Sequence, residues 1–184
     1  MAGMARQFGQ ADVAAVDVFL VRAKTLRGGP PDWIDSDHDG EVQAHWDIAD
    51  ESGVISAHVR FKIVKRWIGY PSVSIIWGGS SIWRFDIAPP EIVKANPPSA
   101  AELGLPPFVA GSHEHAWTDN RAAILQGAPW GLPIRRPLPP QVRKVSHVLP
   151  QLALRANITL TAEQYDFEAP SKPSLLDPLY GGEQ

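Results

Sequence analysis

The chain alternates in polarity through its central third. Ile55, Ala57, Val59, Phe61 and Ile63 are interleaved with Ser56, His58, Arg60 and Lys62, the period-two pattern of a strand with one face on a core and the other in water. That strand is expected over residues 54–67, with His58 on the wet face. Residues 41–49 (EVQAHWDIA), 72–77 (SVSIIW) and 81–88 (SIWRFDIA) share its enrichment in β-branched and aromatic side chains. The breaks DESG, IGYP and GGS supply turn residues between them. Together they predict an antiparallel meander, with the Gly-Gly of WGGSSIW as a tight hairpin turn rather than a nucleophile elbow.

The period changes outside this region. Val13, Val16, Leu20 and Ala23 recur at helical spacing ahead of Gly28 and Gly29, so residues 11–27 read as a helix; the alternation of Val16, Val18 and Leu20 keeps a first strand open as the alternative. Between the meander and the next regular segment lies a Pro-rich excursion, in which Ser99 and Glu102 have the spacing of a capping box for one helical turn. FVAGSHEHAW then predicts a further strand. TDNRAAILQG predicts a short helix capped by Thr118 or Asp119 and ended at Gly127. Leu138, Val142, Val145, Leu149 and Leu152 step by four and three, a helical stripe that Pro150 should kink or split. Thr161 and Gln164 cap a last short helix, and residues 169–184 lack periodicity, although Leu175, Leu176, Leu179 and Tyr180 suit a tail that docks. The expected fold is a single α+β domain over residues 1–168: an antiparallel meander of four to five strands, helices on one face, and an extended C-terminal tail.

Composition narrows the chemistry. A net charge of −3 and a pI near 6.0 exclude a surface coated in positive charge for wrapping duplex nucleic acid, while leaving room for local basic patches. The absence of cysteine removes disulfides, thiolate nucleophiles and thiolate zinc sites, and fits a reducing compartment. No stretch approaches the roughly 20 apolar residues of a membrane span, and no apolar leader opens the chain, so a cytoplasmic protein without membrane attachment is expected.

Chemistry concentrates in GSHEHAWTDNR. On a strand, His113 and His115 project to one face and Glu114 to the other, and imidazoles serve near neutrality as acid, base or ligand. Asp119, Asn120 and Arg121 follow within a turn. In WRFDIAPP, Arg84 and Asp86 share a face at a strand end, where Asp86 could orient a histidine of the next strand. A basic run, Arg135, Arg136, Arg143 and Lys144 with His147, is a candidate nucleic-acid contact. DSDHDG (residues 35–40) opens like a calcium loop, but its twelfth position is Trp46 rather than a bidentate Glu, and an Asp-rich turn is the better reading. No dinucleotide, P-loop, GxSxG or HExxH motif is present.

SIIWGGSSIWRFDIAPPE followed by FVAGSHEHAWTDNR resembles the TumE-like toxins of bacterial toxin–antitoxin systems over about residues 54–121. Arg84, Phe85 and Asp86 match that family's Arg-aromatic-Asp strand end, Pro89 its loop, and His113 and His115 its HxH strand. The resemblance implies a growth-inhibiting toxin of a stress or defence system that acts on RNA, with a helix-turn-helix antitoxin as partner. On that reading His113 and His115 do acid–base work or hold phosphate, Asp86 orients one of them, Arg84 and Arg121 stabilise phosphoryl charge, and a metal-independent ribonuclease needs no cofactor. Two other classes compete. His113-x-His115-x3-Asp119 is similar to part of the first cupin motif, which implies a metal-dependent enzyme with Asp119 as third ligand. Seven Trp and 18 Pro equally suit a non-catalytic subunit of a larger assembly.

Overall fold

The computed structural model describes residues 10–36, 40–67, 69–127 and 131–170. Along the chain come α1 (Gln10–Val21), β1 (Lys24–Leu26), β2 (Ile34–Asp35), β3 (Glu41–Asp50), β4 (Ile55–Val64), β5 (Ser72–Trp77) and β6 (Ser80–Asp86). They are followed by β7 (Val93–Ala95), β8 (Phe108–Ala110), β9 (His113–His115), α2 (Trp117–Leu125), β10 (Arg136–Pro137), α3 (Val145–Arg155), β11 (Ile158–Thr159) and α4 (Ala162–Tyr165). The meander β3–β4–β5–β6 lies at the centre of one sheet, ordered β10-β9-β6-β5-β4-β3-β1-β11, with β2 also on the outer edge of β3. All pairings are antiparallel except β1 with β11. The fold is therefore α+β, as the alternation implied, with the meander extended on both sides.

The register explains where the core forms. Ala44, Trp46 and Ile48 of β3 face Phe61, Val59 and Ala57 of β4, which face Val73, Ile75 and Trp77 of β5. Against this surface lie Val13, Val16 and Leu20 of α1, Trp117 and Ile124 of α2, and Val145, Val148, Leu149 and Leu152 of α3 in one apolar cluster. Burying a side chain of this size contributes about 1.5–3 kcal/mol. The turn at Gly78–Gly79 has φ of 56° and 81°, left-handed values that glycine takes without the steric cost of a Cβ.

Some local expectations hold and others are corrected. Residues 10–21 are helical because Val13, Val16 and Leu20 are buried while Val18 is 46% exposed; only residues 24–26 take up a strand. FVAGSHEHAW is not one strand. The chain breaks at Gly111, φ +71° with Pro90 Cα 3.4 Å from where a Cβ would stand, so β8 pairs with β7 in a separate hairpin while β9 joins β6. The turn at Pro98–Leu103 begins from Pro97 without a side-chain cap, and α2 begins from Ala116, not Thr118 or Asp119. Pro150 sits inside α3 without splitting it; the buried apolar face of the helix outweighs one lost backbone bond. Leu138 and Val142 precede this helix rather than extending its stripe. The Thr161–Gln164 box is present, with Gln164 Oε1 accepting the Thr161 N–H at 2.9 Å.

Of DSDHDG, Asp35 lies in β2 and pairs with Lys65 at 2.7 Å, Gly40 turns at φ +76°, and residues 37–39 are outside the described set. The tail residues Leu175, Leu176, Leu179 and Tyr180 also lie outside it. Among the described residues no helix is long and apolar enough to cross a membrane.

Candidate anion-binding and acid–base site

The face of the meander away from the helices carries two polar rows. Cross-strand pairing aligns Gln43, Lys62, Ser72, Asp86 and His113 in one row across β3, β4, β5, β6 and β9. The same register aligns His45, Arg60, Ser74, Arg84 and His115 in the next. Residues far apart in sequence thus become neighbours because antiparallel pairs stand about 5 Å apart.

Asp86 is the hub. Its Oδ1 accepts the Ser72 hydroxyl at 2.7 Å, and its Oδ2 accepts Arg84 Nε at 3.0 Å. The Nε2 atoms of His115 and His113 lie 3.2 and 3.4 Å from the same Oδ2. Each imidazole is fixed from its far side: His113 Nδ1 donates to Gly111 O at 2.8 Å and His115 Nδ1 to Leu132 O. A carbonyl only accepts, so both Nδ1 atoms carry hydrogen and both Nε2 atoms turn toward Asp86. Leu132 holds φ +51° in a fully buried position, a left-handed conformation that stores strain at the point where its carbonyl orients His115. The Gly111 carbonyl orients His113 in the same way, but without strain, because glycine takes φ +71° freely.

Electrostatics also act on His115. Burial, reinforced by the charge of Arg84, holds His115 below the ordinary imidazole range against the opposing pull of Asp86. Its neutral Nε2 therefore accepts from Arg84 Nη2 at 2.7 Å, and the guanidinium bridges His115 and Asp86. Burial works to raise the Asp86 carboxyl, but its contacts with His113 and His115 and the charge of Arg84 prevail and keep it well below the carboxylate range. His115 is fully buried, whereas His113 lines a cavity of about 400 Å³.

That cavity is cationic. Arg60, Lys62, Arg84, Lys94 and Arg135 line it, with Asp86 the one acidic wall residue among those described. Lys62 is paired with Glu41 at 2.9 Å and Arg84 with Asp86, while Arg60, Lys94 and Arg135 have no carboxylate partner among the described residues. Arg60 and Arg135 are both held below the usual guanidinium range, first by burial and then by the charge of Arg84. Arg135 Nε is buried with no hydrogen-bond partner among the described residues, and its Nη1 is held by Ala95 O and Pro133 O. Mutually repelling, preset cations of this kind suit an anion.

No protein-family model, curated protein or solved structure matches this chain. Functional assignment therefore rests on the side chains themselves.

Of the residues singled out from the sequence, Asp86, Arg84, His113 and His115 come together, and Arg135 joins them at the cavity wall. Arg121 does not: it binds Asp17 of α1 at 2.7 Å through Nη2, beside Trp117 Nε1 on the same carboxylate at 2.8 Å. Nor does the basic run act as a unit. Arg136 is paired with Asp119 at 2.8 Å, Lys144 lies 3.9 Å from Glu168, and Arg143 donates to Pro140 O on the wall of a different cavity. Asp119 is occupied by Arg136 rather than turned toward the histidines, so the carboxylate beside them is Asp86. Glu114 points into the core, where Trp83 Nε1 donates to it at 2.8 Å and Arg155 lies 3.3 Å away. Arg60, Lys62, Ser72 and Lys94 were missed; the alternation Ser56, His58, Arg60, Lys62 was their signal, read only as a wet face.

Proposed function

We propose that the protein binds single-stranded RNA at this cavity and cleaves it, as a toxin-like member of a bacterial stress or defence system. The observation that carries the reading is the placement of Arg60, Lys94 and Arg135, cations with no carboxylate partner among the described residues, around a cavity that His113 also lines. RNA supplies both a phosphate for the cations and a 2′-hydroxyl for the imidazole. In the proposed reaction His113 takes the 2′-hydroxyl proton at Nε2 while the 2′ oxygen bonds to the adjacent phosphorus. The bond from phosphorus to the 5′ oxygen breaks, leaving a 2′,3′-cyclic phosphate, and the departing oxygen takes a proton from water at the cavity mouth. Arg60, Arg84 and Arg135 neutralise the charge that develops on the non-bridging oxygens. Asp86 and His115 position the catalytic groups, and a helix-turn-helix antitoxin is the proposed partner.

The test is incubation of end-labelled single-stranded RNA and the matching DNA with purified protein in the presence of a chelator. Cleavage of RNA to cyclic-phosphate ends, with DNA bound and uncut, is expected, and His113→Ala should lower the rate about 10²- to 10⁴-fold while still binding RNA. RNA bound but left intact by the wild-type protein would overturn the catalytic part and leave a binding subunit.

A further inference from the structure

The Nε2 atoms of two buried imidazoles converge on one carboxylate oxygen. Both rings have Nδ1 hydrogen-bonded to a backbone carbonyl, the outer contact that usually fixes a metal-ligating histidine and leaves Nε2 for the ion. Both Nε2 atoms then meet Asp86 Oδ2, at 3.2 and 3.4 Å, and the candidate ligand atoms of the three residues all lie within 4.8 Å of one another. Around an ion with bonds near 2.1 Å, neighbouring ligand atoms are separated by about 3.0 Å at right angles and about 3.4 Å at the tetrahedral angle. Both contacts to Asp86 Oδ2 fall in that interval.

The frame is rigid. Asp86 and His113 are register partners on β6 and β9, His115 follows two residues on, and both rings are at most 3% exposed. One cation already spans the arrangement: Arg84 reaches Asp86 through Nε and His115 through Nη2. Arg84 also borders the cavity and its side chain is 29% exposed, so the guanidinium has open space into which to withdraw.

We infer that Asp86, His113 and His115 form a binding site for a divalent transition-metal ion of the zinc or cobalt class, with Arg84 as the competing internal cation. Imidazole nitrogens select this class over magnesium and calcium, which favour all-oxygen shells. Three protein ligands leave a further coordination position toward the cavity. The site goes beyond the proposed ribonuclease reading and bears on it through one atom: an ion on His113 Nε2 takes the lone pair that would accept the 2′ proton. Occupancy therefore switches cleavage off.

Titration of chelator-stripped full-length protein with Co²⁺, followed by visible absorption, tests the site without reference to RNA. The expected result is a saturable spectrum at one equivalent, bleached by Zn²⁺. Affinity should fall at least a hundredfold in the double variant His113→Ala/His115→Ala and stay unchanged in His45→Ala, whose ring stacks on His58 at 4.8 Å elsewhere on the same face. Arg84→Ala removes the competitor without removing a ligand, and should bind Co²⁺ about tenfold more tightly; this gain stands even if the double variant fails to fold. No one-equivalent uptake by the wild type at micromolar concentrations, or uptake unaltered in a folded double variant, would overturn the site. Failure of RNA cleavage would not affect either result.

Discussion

Arg135→Ala isolates the electrostatic premise of RNA binding. Arg135 is one of three cavity cations without a carboxylate partner among the described residues, and its guanidinium is held in place by Ala95 O and Pro133 O. If each of the three meets one phosphate, the logarithm of affinity for single-stranded RNA should fall with the logarithm of salt concentration at a slope of about −2, since each neutralised phosphate contributes about −0.7. Removing Arg135 should reduce the slope to about −1.4. A charge–phosphate contact at a partly open cavity wall contributes ~1–2 kcal/mol, well below the roughly 4 kcal/mol that two unit charges 4 Å apart would give at an effective dielectric of 20. Affinity at low salt should then fall about 5- to 30-fold. The assay is fluorescence anisotropy of a labelled RNA oligonucleotide between about 50 and 300 mM KCl, the range over which such contacts weaken steeply. Arg143→Ala, on a different cavity, serves as the control and should keep the wild-type slope. An unchanged slope in Arg135→Ala, or an equal drop in Arg143→Ala, would refute the placement of phosphate at this wall.

Asn120 is fully buried and both donates to Ile134 O at 3.2 Å and accepts Ile134 N–H at 2.8 Å; Asn120→Ala should cost about 2–4 kcal/mol in urea unfolding, because the orphaned backbone groups have no water. Lys24, buried over Phe19 and donating to two backbone carbonyls, has its amine pushed down from 10.5 to about 8 by desolvation. Between those values the unfolded chain holds a proton that the native state has released, so stability should rise with pH across that window. The full shift corresponds to about 3 kcal/mol, which the carbonyl contacts and partial solvation reduce to ~1–2; denaturation at pH 7.5 and pH 10 should show this rise in the wild type and its absence in Lys24→Met. Arg121→Ala breaks a pair whose side chains are 44% and 36% exposed and should leave the urea midpoint almost unchanged and the RNA cleavage rate unaltered, whereas a loss of cleavage would return Arg121 to the site.

The sheet and its helical cover were legible because period-two and period-3.6 patterns report which face is buried. The centre of the site was legible for a related reason: Asp86 closes one strand, and His113 and His115 share a face on the next. Registry was not legible. Nothing local states that Lys62, Ser72 and Asp86 fall in one row, so Arg60 and Lys62 passed as solvated positions. Arg121 and Arg136 were misplaced because a charged side chain goes to the nearest carboxylate that the fold supplies, Asp17 and Asp119, and those pairings join segments up to about a hundred residues apart. The break at Gly111 escaped notice because its cause, the approach of Pro90, is tertiary.

The parallel pairing of β1 with β11 has a consequence for synthesis. Lys24 and Thr25 bond beside Ile158 and Thr159, so one edge of the sheet waits until almost the whole described chain has emerged from the ribosome. The cavity residues all lie between 60 and 135. A nascent chain thus possesses every group of the cavity well before its outer edge can close, and a long sequence separation of this sort slows the final step. The cavity walls can be assembled during translation while the protein as a whole is still unfinished, an interval in which binding to the cavity would favour the remaining folding by mass action.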